Sequence, residues 1–163
     1  MKKLRIYLDT SVINFLYADD APDFQRVTVE FFERYAQRYE LFGSDVLLRE
    51  LTADPDNRRR ERHFKALADY NVAILPADSD DEIARLADAY LREGVVPEPK
   101  RDDALHVAYA TVFQMDVVLS WNFKHLANLR REARFTAINQ AEGYFYSPRI
   151  VSPMGMEDDN DEY

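Results

Sequence analysis

Residues 3–16 read K-L-R-I-Y-L-D-T-S-V-I-N-F-L, and their pattern decides the fold. Leu4, Ile6 and Leu8 alternate with Arg5 and Tyr7, the period of a strand. Asp9 ends it. Thr10 and Ser11 are then placed to cap a helix through Val12, Ile13, Phe15 and Leu16. A strand that feeds a helix so abruptly is the opening of a βαβ unit.

The same alternation continues along the chain. Pro22-Asp23 starts a helix with Phe24, Val27, Phe31 and Tyr35 on one face. Leu41-Phe42 is a strand closed by Gly43, and Ser44 caps the next helix, which carries Val46, Leu47, Leu48 and Leu51. Asp54-Pro55-Asp56-Asn57 is a turn before the basic helix that begins at Arg58. Val72 to Leu75 is a strand ended by Pro76. Ser79 caps a helix through Ile83, Leu86, Ala87 and Tyr90 that stops at Gly94. After a linker over residues 95–99, Asp102 or Asp103 opens a helix apolar nearly all round, expected to be central and buried. Asp116 to Leu119 is a strand that ends in Ser120-Trp121-Asn122. A helical region from Asn128 to Gly143 and a short strand, Arg149-Ile150-Val151, complete the pattern. Strands alternating with helices predict a three-layer α/β/α sandwich around a mostly parallel sheet. One domain is expected over residues 1–153. Residues 154–163 form an acidic tail expected to be disordered.

Composition narrows the chemistry. The 163 residues are 47% hydrophobic and 13% aromatic, with no cysteine. That excludes disulfide stapling, thiolate zinc and a thiol nucleophile. The net charge is −9, but five acids fall in the last seven residues. Without them 21 basic side chains face 25 acidic ones, a net −4. No global basic field advertises nucleic acid, although a local basic rim is compatible with this balance. No apolar run is long enough for a membrane span, and the N-terminus is not a signal peptide, so a cytoplasmic location is expected. The chain has no P-loop, no G-x-S-x-G and no Gly-rich dinucleotide loop. A phosphatase of the haloacid-dehalogenase type needs a second Asp where Ser11 stands.

Parallel sheets keep ligands at the carboxyl ends of their strands. Four residues are placed there: Asp9 after the first strand, Glu50 on the helix after the second, Asp103 in the first turn of the apolar helix, and Asn122 after the last long strand. Singly, Asp9 reads as a helix cap, Asp102-Asp103 as a cap with a helix-dipole partner, and Glu50 as a surface glutamate. Jointly they read differently. A carboxylate ending a buried strand is costly without partners, and three acids at one edge call for a cation. Mg²⁺ takes oxygen ligands and needs only one or two direct carboxylates.

The motifs YLDTSVINFL (Tyr7–Leu16), SDVLLREL (Ser44–Leu51), RDDALHVAYA (Arg101–Ala110), VLSWNFKHLAN (Val118–Asn128) and INQAEGYFYSPRIVSP (Ile138–Pro153) span nearly the whole chain. In this order they resemble the PIN-domain superfamily, in particular its small prokaryotic members of the VapC toxin type. The resemblance implies a PIN-like sandwich and a Mg²⁺- or Mn²⁺-dependent endoribonuclease. Carried over by motif, Asp9, Glu50 and Asp103 are the metal-binding acids, and Thr10 and Ser11 help to hold a water at the ion. Asn122 stands where the family often has Asp; it keeps a carbonyl oxygen but loses the charge, which weakens the case for a second ion. Asp102 is assigned as the cap and Asp103 as the ligand, because neighbours on a helix point about 100° apart. The implied partners are an RNA substrate, a small antitoxin protein if the chain acts as a toxin, and a second copy in a homodimer. The rival reading, motivated by Asn122, is a catalytically weak or inactive PIN-like module that binds RNA or a protein.

Other features have two readings each. His106 reads as a satisfied core histidine or as an acid/base group. Lys124 and His125 can touch phosphate, or serve a cap and the surface. Trp121 reads as packing or as a stacking platform. The Arg58–Arg62 run is a solvated face paired with nearby acids, an RNA-tracking rim, or a dock for an acidic partner. Arg101, Arg130, Arg131 and Arg134 are further candidates for a basic rim.

Overall fold

The strands found are β1 (Arg5–Leu8), β2 (Glu40–Gly43), β3 (Ala73–Ile74), β4 (Val117–Leu119) and β5 (Arg149–Val151). The structure is a computed structural model and describes residues 2–77 and 80–156. All pairings are parallel and the order is β3-β2-β1-β4-β5. Tyr7 pairs with Phe42 on one side and Val118 on the other. The helices are α1 (Thr10–Asn14), α2 (Pro22–Glu30), α3 (Asp45–Thr52), α4 (Asn57–Asp69), α5 (Asp80–Arg92), α6 (Arg101–Val112) and α7 (Leu129–Ala141). The α/β sandwich on a parallel sheet is therefore as the alternation predicts.

Strand alternation divides the core. Ile6, Leu8 and Leu119 point to one face, packed with residues of α1, α3 and α4 and with Phe31, Phe32 and Tyr35. Tyr7 and Val118 point to the other, packed under α5, α6 and α7. Helix α6 is buried over most of its length, including Ala104, His106, Val107 and Ala108. Because both faces are covered, a polar strand residue such as Tyr7 cannot reach water and must find a partner inside.

Local signals mostly hold. Ser44 caps α3 by accepting from the Val46 N–H, Asp56 caps α4 through Arg59 N–H, and Asn128 caps α7 through Arg131 N–H. Gly94 follows α5 with φ +71°, the left-handed conformation a glycine reaches without a Cβ clash. Three details differ. Asp9, rather than Thr10 or Ser11, occupies the cap position of α1, and its side chain makes no cap bond. The helix from Pro22 gives way to a π-turn at Phe31–Tyr35, which also buries Phe32 and leaves Phe24 exposed. Helix α6 opens at Arg101 directly from a 3₁₀ turn at Glu98–Lys100, so neither Asp102 nor Asp103 caps it. Ser79 and most of the acidic tail, residues 157–163, lie outside the described residues; Pro153–Met156 forms a 3₁₀ turn that buries Met156.

The order 3-2-1-4-5 reverses between β1 and β4. That is the topological switch, where diverging crossovers leave a crevice at the carboxyl ends of the two strands.

Candidate active site

Asp9 stands in that crevice, at the end of β1 and nearly buried. Its N–H donates to the Leu119 carbonyl across the switch. Its Oδ2 accepts from Ser11 Oγ (2.7 Å) and Ser120 Oγ (2.6 Å). Ser11 in turn accepts from Trp121 N–H, and Ser120 from Asn122 N–H. The carboxylate is thus clamped from both strands, by hydroxyls whose own positions the backbone fixes.

Glu50 reaches the crevice from the last turn of α3. Its Oε1 accepts from Thr10 Oγ1 (2.7 Å) and lies 2.6 Å from His106 Nε2. The imidazole is wholly buried. Its Nε2 is also 3.5 Å from Asp9 Oδ1, and its Nδ1 is 2.6 Å from the Tyr7 hydroxyl. Tyr7 continues to Ser44 Oγ at 2.7 Å. Burial opposes charge on His106, but the Glu50 hydrogen bond and the charge of Asp9 outweigh it and raise its proton affinity. Burial likewise pushes the Glu50 carboxyl up, and the His106 and Thr10 hydrogen bonds pull it below its ordinary value. His106 thus lies between two carboxylates, with its Nδ1 against the Tyr7 hydroxyl and Tyr7 in turn against Ser44.

Asp103 projects from the first turn of α6, half-buried. Burial first, then the charge of Asp9, pushes its pKa up to about 6. Asn122 Nδ2 donates to its Oδ2 at 3.2 Å. The Asn122 oxygen accepts from the His125 N–H at 2.9 Å and caps the turn that follows β4. An amide oxygen has two lone pairs, so this bond leaves one acceptor position beside Asp103. Asp102, assigned as the cap, does not cap the helix; it lines the cleft and takes a bidentate Arg49 at 2.9 and 3.0 Å.

The structure therefore brings Asp9, Glu50, Asp103 and Asn122 to one crevice, with His106 among them. Glu50, Asp103 and Asn122 share a cleft of about 620 Å³ with Pro99, Lys100, Arg101, Asp102, Lys124 and His125. Among the described residues no three His, Asp or Glu side chains converge closely enough to chelate an ion as they stand. The donor chemistry nevertheless fits a hard divalent cation. Its acidic donors are all oxygens, and burial and the charge of Asp9 push the Asp103 carboxyl up to about 6, the mark of crowded negative charge. Such an ion would be held by Asp9 and Asp103, with Glu50 direct or through water.

Sequence reasoning missed Tyr7, Ser44 and Ser120 as parts of this network. Tyr7 carries a usable signal, since a phenol inside a strand covered on both faces needs a buried partner. The other candidates resolve differently. Trp121 is packing: it is buried against Phe15 and Phe24, and its Nε1 donates to Thr28. Arg59 pairs with Asp54 and Arg62 lies over Tyr17, so the basic run is a solvated helix face with local partners. Arg131 and Arg134 donate to the carbonyls of Val95 and Glu93.

No family model matches the chain. No curated protein matches it in sequence. Among the described residues no helix is long and apolar enough to cross a membrane. In three dimensions the chain is similar to one in the crystal structure of VapBC2 from Rickettsia felis bound to a DNA fragment from their promoter. The TM-score is 0.59 at 12% identity, over 91% of this chain and 98% of that one. This likeness, together with the five-stranded parallel sheet, shows a PIN-like α/β fold.

Proposed function

We propose that the chain is a Mg²⁺- or Mn²⁺-dependent endoribonuclease that hydrolyses RNA phosphodiesters at the switch-point crevice. One observation carries the reading. Asp9, Glu50 and Asp103 gather where a doubly wound sheet keeps its ligands, and burial and the charge of Asp9 push the Asp103 carboxyl up. A bound divalent ion would act as a Lewis acid on the phosphoryl oxygens and would lower the proton affinity of an attacking water. The chain's residues prepare the place. Ser11 and Ser120 fix the Asp9 carboxylate so that its remaining oxygen faces the crevice side of His106. Thr10 and His106 hold Glu50 by one oxygen and leave the other to orient a water. Asn122 steadies Asp103.

The test is cleavage of a mixed RNA pool in Mn²⁺ or Mg²⁺ by wild type and by Asp9→Asn. The wild type should cut, and the variant should lose at least about 100-fold while keeping its unfolding midpoint within a few degrees. Retained cleavage in the variant would sink the mechanism. A second reading, a binding module without turnover, is favoured by the capping role of the Asn122 oxygen. No cleavage by wild type under any divalent ion would put it first. The likeness to a chain of a VapBC2 complex supports a cytoplasmic toxin–antitoxin setting. In that setting a small antitoxin would cover the acidic crevice of a homodimer, which co-purification and sedimentation would test.

A further inference from the structure

The crevice has a second wall, and it is basic. Lys100 and Lys124 both line the cleft, are exposed, and make no ion pair among the described residues. The other charges of this rim are spent on neighbours: Arg101 on Asp88, Arg49 on Asp102. In a chain of net charge −9, these two ammonium groups line the same cleft as Glu50 and Asp103.

His125 lies in the same wall. It is 9% exposed, and its Nδ1 is buried with no hydrogen-bond partner. Burial, then the charges of Lys124, Arg131 and Lys100, lowers its proton affinity. An imidazole that shares a cleft with two ammonium groups makes a phosphate-binding set.

The turn that carries Lys124 and His125 also presents Phe123, 43% exposed. Its ring lies 6.4 Å from that of Phe24, which is 38% exposed. An open aromatic surface next to a phosphate-binding wall suits an unpaired base whose backbone runs past the lysines.

We infer that Lys100, Lys124 and His125 form a phosphodiester subsite for single-stranded RNA flanking the acidic crevice, with Phe123 stacking a base of the same strand. The assignment rests on the nuclease reading of the crevice and says where its substrate lies. The subsite binds backbone charge without base selection, while Phe123 accepts any exposed base face.

The experiment is fluorescence anisotropy with a labelled, mixed-sequence single-stranded RNA decamer in EDTA, from 20 to 200 mM KCl, where turnover cannot contribute. Wild type should bind with salt-dependent affinity. Lys100→Ala and Lys124→Ala should each weaken binding about 3- to 10-fold and lower the slope of log Kd against log salt by about 0.7. Lys124→Arg should restore the slope. Phe123→Ala should weaken binding about 5-fold or more with the slope unchanged. An unchanged slope in both lysine variants, or no wild-type binding up to 100-fold above the concentration of RNA at the lowest salt, overturns the subsite. The two proposals separate cleanly. Lysine-dependent binding without cleavage in Mn²⁺ removes the nuclease and keeps the subsite; cleavage indifferent to both lysines does the reverse.

Discussion

His106 and His63 are both buried, at 0% and 1% exposure, each on a helix packed against the start of the chain. Their surroundings are opposite. His106 sits in the crevice with partners on both nitrogens, Tyr7 on one and Glu50, Asp9 and Thr10 around the other. His63, on α4, is stacked on Tyr17 at 5.7 Å and has a partner on neither nitrogen. Burial acts against charge in both. In the crevice the carboxylates reverse the outcome and raise proton affinity; under α4 burial prevails and lowers it. Desolvation sets the cost of a buried imidazolium, and neighbouring charge decides whether it forms. One histidine is drawn toward its proton by an acidic site. The other is a neutral packing ring with two unsatisfied atoms.

The largest effect should come from His106→Leu. It removes the imidazole between Glu50 and Asp9 and one of the two partners of the Tyr7 hydroxyl, so stability at pH 7 should fall by about 3–5 kcal/mol in urea denaturation. A loss below about 1 kcal/mol would break the comparison. His63→Phe should do the opposite. It keeps a ring on Tyr17 and deletes two unpaired atoms, for a gain of about 1–2 kcal/mol. The sign with pH follows from the lowered proton affinity. The unfolded chain protonates near pH 6.5 and the folded one resists, so wild type loses stability as pH falls below about 6.5. The variant should lack that part of the acid limb.

Asp103→Asn sharpens the crevice side. Its carboxyl has a folded pKa near 6, above the unfolded value, so its stabilising contribution is complete at low pH and is lost as pH rises from about 4 through 6. In EDTA the variant should be about 1 kcal/mol more stable than wild type at pH 7, allowing for partial solvent screening, and the two should converge near pH 4. Its RNA cleavage should be lost. The smallest effect is expected of Arg49→Ala. The Arg49–Asp102 pair is 59% and 35% exposed, and thermal unfolding should report less than about 0.5 kcal/mol.

Much of the fold was legible because its signals are local. The alternation of Leu4, Ile6 and Leu8, the cap at Ser44, and the stop at Gly94 each depend on a few consecutive residues. The start of α6 was not, because a 3₁₀ turn feeds it and no capping side chain marks it. The π-turn at Phe31–Tyr35 was not, because it inserts a phase shift into an otherwise helical pattern. In the site, topology placed Asp9 and Asn122 at one edge and allowed Glu50 and Asp103 to point there. Their bonding could not be read in this way, as with the His125 N–H that donates to the Asn122 oxygen in the turn after β4.

The sequence by itself determined a parallel α/β sandwich with Asp9 and Asn122 at one sheet edge and helix positions that allow Glu50 and Asp103 to point there, because strand and helix periods and the order of elements fix which ends come together. The tertiary structure alone decided that His106 lies among those acids, that Asp102 serves Arg49, and that Lys100 and Lys124 line the cleft with no ion pair among the described residues. Those outcomes depend on ångström-scale distances between residues far apart in the chain, and electrostatic free energy follows distance and burial, which a one-dimensional pattern does not contain.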